Sequence, residues 1–224
     1  MKKRILFITL ILLFPMLIFS GGQSEAVSEV AVTAVVEYFD GDVTINDESA
    51  DFGMKVPFGA VVTTGPGSYC EIVFNRKNIF RIQESTIAEI RLSPSSPEIT
   101  IKKGTFAALF TKLEALTMDE PFKIRTQTAV AGVRGTAFFV KALDADNTYI
   151  CICNGELEVT DTEADSREVI ESGHHKAIYF RNVNGETVVD NAPMLYHTDE
   201  DMEALAFHID EKIKWYYGSS GKSY

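Results

Sequence analysis

The sequence predicts an all-β fold: a sandwich or roll of many short antiparallel strands, with one C-terminal amphipathic helix. Three observations carry that expectation. Short β-branched or alternating runs recur at roughly 8–12-residue spacing. Gly, Pro and Asp/Asn-Gly pairs punctuate them. Helical spacing of apolar residues is clear only near the C-terminus, after Asp201. The chain has 224 residues, 46% hydrophobic and 24% charged, so it can bury a sizeable core.

Residues 1–22 form the pattern of a secretory signal peptide. Met1-Lys2-Lys3-Arg4 is basic, Ile5 to Phe19 is an apolar run broken at Pro15, and Ser20-Gly21-Gly22 offers small residues for cleavage. The run falls short of the roughly 20 residues that span a bilayer. The expected location is therefore periplasmic or extracellular, with an uncleaved inner-membrane signal anchor as the alternative. No cysteine lies near the cleavage site, which argues against lipidation there. Losing this segment takes three of the 21 bases and none of the 32 acids, so the mature chain becomes still more acidic than the −11 of the whole. Such a surface repels nucleic acid and anionic membranes, and neither is an expected partner.

A polar linker, 23–29, precedes the β region, 30–190. Val30 to Val36 is an extended β-branched run. Asp40-Gly41, Asn154-Gly155 and Asn184-Gly185 each sit between apolar arms and read as hairpin turns. Pro57-Phe58-Gly59 and Gly65-Pro66-Gly67-Ser68 bracket the strand Ala60 to Thr64. Cys70 to Phe74 and Ile79 to Ile82 follow, and Pro94 to Pro97 breaks the chain before Glu98 to Ile101. Phe106 to Met118 is compatible with a strand or a short helix. Leu157 and Val159 alternate with Glu156 and Glu158, giving one dry and one wet face. Residues 191–217 are expected as a helical appendage. Thr198-Asp199-Glu200-Asp201 caps its start, and Met202, Leu205, Ala206, Ile209, Ile213 and Tyr216 form a stripe that packs on the β region or awaits a partner groove. Residues 218–224 read as a disordered tail.

Several of these runs, taken in order, resemble the FecR-type periplasmic domain. They are Gly41-Asp42-Val43, Phe58-Gly59-Ala60-Val61-Val62-Thr63-Thr64, Glu71-Ile72-Val73-Phe74, Lys103-Gly104-Thr105, Thr126-Gln127-Thr128-Ala129 and Val133-Arg134-Gly135-Thr136-Ala137-Phe138. Cys153 to Val159 fits the family's last hairpin. The match runs from about Val32 to Thr160 and makes residues 30–190 a FecR-like β domain. The resemblance implies a β-rich envelope module that senses or relays through protein contacts. Gln127 replaces the family's usual proline. Only Met1 to Arg4 precedes the apolar run, so no direct sigma-factor contact is expected.

Val133, Arg134, Gly135 and Thr136 are the candidate site residues, with a mainly structural role. Gly135 permits positive φ, Thr136 opens the next strand, and the Arg134 fork suits carbonyls or a carboxylate at a sheet corner. The alternative has Arg134 facing an anionic ligand or partner carboxylate.

No catalytic residue, cofactor or metal is expected. There is no Gly-x-Ser-x-Gly, phosphate loop, dinucleotide fingerprint or EF-hand loop. His197 and His208 lie outside the β region, and His174-His175 read as a solvated turn. Cys151 and Cys153 share one strand face. With His174-His175 they lack the usual zinc spacing, and with Cys70 they read as small buried hydrophobes. The function expected is a non-enzymatic, exported protein-binding or signalling module of the cell envelope, its partner an envelope protein. Alternatives are a structural, self-assembling β-domain (a homo-oligomer) and a sensor of a small anion.

Overall fold

The computed structural model describes residues 32–111, 121–133, 135–161 and 167–216. The signal segment, the linker, Arg134 and residues 217–224 lie outside them. The elements in chain order are β1 (Ala34–Asp40), β2 (Val43–Ile45), β3 (Glu48–Ser49), β4 (Ala60–Thr64), β5 (Tyr69–Phe74), β6 (Asn78–Ile82), β7 (Ile87–Arg91) and β8 (Glu98–Phe110). Then come β9 (Phe122–Arg125), β10 (Ala129–Val133), β11 (Ala137–Ala142), β12 (Asn147–Asp161), β13 (Arg167–Ser172), β14 (Lys176–Val183), β15 (Glu186–Ala192) and α1 (Asp199–Phe207). The all-β expectation holds. Among the described residues no helix is long and apolar enough to cross a membrane.

The strands form two faces of a flattened roll. One sheet runs β1-β5-β6-β8-β11-β12-β14-β15. The other runs β3-β2-β4-β7-β8-β9-β10-β12-β13. Every pairing is antiparallel except β8 with β9. Strands β8 and β12 appear in both sheets because each bends once and crosses over. Alternation then places one set of side chains between the sheets, where Phe74, Phe80, Phe106, Phe110, Phe122 and Phe138 are fully buried. The Phe110 and Phe122 rings lie 4.6 Å apart and tilted, an arrangement favoured by the ring quadrupoles.

The crossings explain why two of the three expected hairpins are not hairpins. Asn184-Gly185 does turn β14 into β15. Asp40-Gly41 instead passes the chain from β1 in the first sheet to β2 in the second, and the two strands pair with different partners. Asn154-Gly155 lies inside β12, at its bend. Gly104 and Gly155 take φ of +98° and +118° at the two bends, a region open to glycine and strained for other residues. Each glycine also faces a hydroxyl side chain, Thr86 for Gly104 and Thr136 for Gly155, where a Cβ would collide.

That hydroxyl fastens each corner. The Thr105 N–H donates to Thr86 Oγ1 at 2.8 Å, and the Glu156 N–H to Thr136 Oγ1 at 3.1 Å. At the first corner the Asp42 N–H donates to Ser68 Oγ at 2.9 Å. Each hydroxyl residue follows a residue with positive φ: Gly67 before Ser68, Ser85 before Thr86, Gly135 before Thr136. One corner device is thus built three times from different local sequences.

A second apolar layer covers the outer face of the first sheet. Ile79, Leu109, Phe139 and Tyr149 pack there with Met202, Leu205 and Ala206 of α1. The C-terminal segment therefore packs on the β region. The helix is shorter than expected. Its start is the predicted capping box, with the Asp201 N–H on Thr198 Oγ1 at 3.2 Å and the Thr198 N–H on Asp201 Oδ2 at 2.8 Å. It ends at Phe207, and Ile209 and Ile213 join the layer from the irregular chain beyond. Two tethers draw that chain along the sheet: His208 Nδ1 against the buried carboxylate of Glu71, and Lys77 Nζ on Glu211 Oε1 at 2.8 Å. Phe106 to Phe110 is strand, and 112–118 lies outside the described residues.

Candidate functional site

Three of the four candidate motif residues are visible, at the third corner. Val133 ends β10 in the core. Gly135 takes φ of +63° and lines a shallow surface depression with Gly155, Glu156 and Gly173; an added Cβ would meet only the Phe110 carbonyl, at 3.6 Å. Thr136 is buried, and its hydroxyl donates to the Glu156 carbonyl at 2.8 Å while accepting from the Glu156 N–H. The Phe110 N–H bonds the Thr136 carbonyl at 3.1 Å. Chemically this is a clamp joining β8, β11 and β12. Arg134 lies outside the described residues.

A different cluster gathers the reactive side chains. Because β12 runs extended through Cys151 and Cys153, residues two apart point the same way, here outward beneath α1. His175 comes from the β13–β14 connection and His197 from the segment leading into α1. The thiol of Cys151 lies 3.4 Å from His175 Nδ1, and that of Cys153 lies 3.3 Å from His197 Nε2. The two ring nitrogens are 3.3 Å apart. Both thiols are fully buried and the His175 side chain is 4% exposed. The expected solvated turn at His174-His175 is thus corrected: Asp199, the first residue of α1, holds His175 Nε2 at 2.6 Å and His174 Nε2 at 2.9 Å. The Trp215 ring stacks on His175 at 5.2 Å, and Phe139 stacks on His197 at 4.4 Å. His197, set apart from the β region by sequence, completes the cluster.

The electrostatics divide the two thiols. The hydrogen bond from Cys153 pulls the Cys151 thiol well below its ordinary value; burial opposes this, and the two imidazoles assist. Burial, then the neighbouring Cys151, pushes Cys153 up. Burial disfavours a charged His175, yet its bonds to Cys151 and Asp199 outweigh that and raise its pKa. Burial likewise opposes ionisation of Asp199, but the hydrogen bonds from His174 and His175 hold its carboxyl below the usual range. Cys70 stands elsewhere, in the inter-sheet core, and burial followed by the Glu71 charge pushes it up to about 12.

Sequence reasoning had Cys151, Cys153 and the His174-His175 pair in view but dismissed them on spacing. The signal it lacked was His197, 44 residues beyond Cys153 along the chain, brought close only by the packing of α1.

Two stacked sheets with fastened corners and a helix-covered outer face define a β-roll module. The model of the FecR protein family matches residues 60–171, half of the chain, and the chain belongs to that family. Two crystal structures of a Parabacteroides distasonis ATCC 8503 protein provisionally assigned as an anti-sigma factor, at 1.65 and 2.50 Å, are similar in fold. Each is 18% identical, with TM-scores of 0.48 and 0.49. The alignments cover 66% of this chain and 63% of that protein, so less than two thirds of the neighbour's length is spanned. No curated protein sequence matches the chain.

Proposed function

We propose that this FecR-family chain is an exported, non-enzymatic binding or signalling module of the cell envelope, whose partner is another envelope protein. Family membership and the basic-apolar leader support the reading. The observation that carries it is the β14–β15 hairpin. Among the described residues β15 pairs with β14 alone, and the hairpin exposes Val183, Val188 and Val189 at 47, 38 and 45%. A strand at the end of a sheet that presents apolar side chains is suited to receive an extended segment of another protein. The catalytic alternative is disfavoured by burial, because Cys151, the thiol with a histidine and carboxylate behind it, has no exposed surface.

Site-specific photo-crosslinking in living cells tests this. A crosslinker at Val188 is expected to capture one envelope protein, whereas one at Glu48 on the edge strand β3 is not. Equal capture from both positions, or none at Val188, contradicts the reading. Capture of only further copies of this chain moves it to the self-assembling alternative.

A further inference from the structure

We propose that Cys151, Cys153, His175 and His197 bind one tetrahedrally coordinated divalent transition metal, zinc being the ion that best suits them. The inference stands apart from the envelope-partner reading and does not depend on it.

The first argument is spacing. One ligand atom from each residue falls within 4.8 Å of every other. The observed sulfur–nitrogen distances are 3.4 and 3.3 Å, and the nitrogen–nitrogen distance is 3.3 Å. A tetrahedral zinc with bonds of about 2.3 Å to sulfur and 2.0–2.1 Å to nitrogen has ligand–ligand edges of roughly 3.3–3.8 Å. Those three separations, two sulfur–nitrogen and one nitrogen–nitrogen, already match a coordination shell, and the remaining ones lie within 4.8 Å.

The second argument is the direction of the lone pairs. His197 Nδ1 lies 2.9 Å from the Leu195 carbonyl, which can only accept, so that nitrogen carries the proton. Asp199 is an acceptor in its ionised form, so His175 Nε2 carries a proton as well. In each neutral ring the other nitrogen, His175 Nδ1 or His197 Nε2, points its lone pair into the cluster. Carboxylate and carbonyl partners behind the histidines are the outer layer that orients metal ligands and fixes their tautomers. A cation held between the two ring nitrogens, which stand 3.3 Å apart, satisfies both without a proton on either.

The third argument concerns charge and access. Bound to a metal, both fully buried cysteines become thiolates, and a divalent cation leaves that centre neutral. Four protein donors and no exposed thiol describe a closed, structural site rather than one with an open position for substrate. The donor set, two sulfurs and two imidazoles, selects zinc over the oxygen-seeking cations. Such an ion ties three separated parts of the chain together: β12, the β13–β14 connection and the lead into α1.

The test uses the protein as the cell produces it, purified without a polyhistidine tag. Elemental analysis is expected to find about one zinc per chain. Removing it and adding cobalt(II) is expected to give the sulfur-to-cobalt charge-transfer bands of a tetrahedral thiolate site, abolished when zinc is restored. Cys153→Ser and His197→Gln are expected to lose most of the bound metal. Because either variant can fail to fold, the deciding result is wild type. Folded, reduced protein that holds less than about a tenth of an equivalent and gives no cobalt bands overturns the proposal. So does rapid alkylation of Cys151 in folded, zinc-supplemented protein, which identifies a free thiolate instead.

Discussion

At the scale of single residues, burial sorts the three cysteines into different chemistry. Cys70 faces the inter-sheet core with no exposed surface, and its thiol is pushed up to about 12, first by burial and then by Glu71. The thiolate is the reactive species, so Cys70 stays inert near neutral pH. Iodoacetamide at pH 8 followed by peptide mass spectrometry is expected to leave Cys70 unmodified in folded protein and to label it after unfolding. Labelling at equal rates in both states contradicts the assigned environment. The sequence already marked all three cysteines as small and buried, and for Cys70 that description suffices. For Cys151 and Cys153 it stops short. Their common face follows from a spacing of two on a strand, but which histidines meet them depends on where a distant segment packs. The single Asp199 carboxylate that anchors both His174 and His175 belongs to the same long-range placement.

At the scale of elements, the corners make the two-sheet architecture possible. A Gly155→Ala substitution would place a Cβ 2.7 Å from Thr136 Oγ1 on a backbone at φ of +118°. Strain and overpacking together are expected to cost about 2–4 kcal/mol. Thr136→Val keeps the volume but leaves the Glu156 N–H without its hydroxyl acceptor, an expected loss of about 1–3 kcal/mol. Urea denaturation of both variants checks the pair, and a change below about 0.5 kcal/mol in either contradicts the clamp. The corners also show why strands were legible and their connections were not. Asp-Gly and Asn-Gly announce a residue with positive φ, a local property. Whether the chain then folds back on itself or passes to the opposite sheet is set by pairing partners elsewhere. At Gly41 and Gly155 the partners lie in different sheets, so a sound local signal pointed to the wrong connection. The helix start was legible for the converse reason, since Thr198 and Asp201 satisfy each other within one turn.

At the scale of the whole molecule, the C-terminal segment is part of the domain it covers. It buries the outer face of the first sheet, where Ile79, Leu109, Phe139 and Tyr149 are at or near zero exposure. Deleting residues 196–224 would uncover that face together with the two cysteines. The expected result is a chain that aggregates or fails to fold, seen in size-exclusion chromatography and circular dichroism. A soluble, fully folded remnant contradicts the packing role. The helical stripe in the sequence predicted an apolar surface that needs covering, and the β pattern predicted a two-faced sheet. Neither pattern alone tells that these two surfaces cover each other, nor that the contact places two imidazoles over two thiols. The central feature of the molecule is the joint between β12 and the two histidines that α1 and its lead-in hold over it. X-ray absorption at the zinc edge of the purified protein tests it most directly. The predicted first shell has two sulfurs at about 2.3 Å and two nitrogens at about 2.0–2.1 Å. A shell of oxygen or nitrogen alone, or no bound zinc at all, contradicts it.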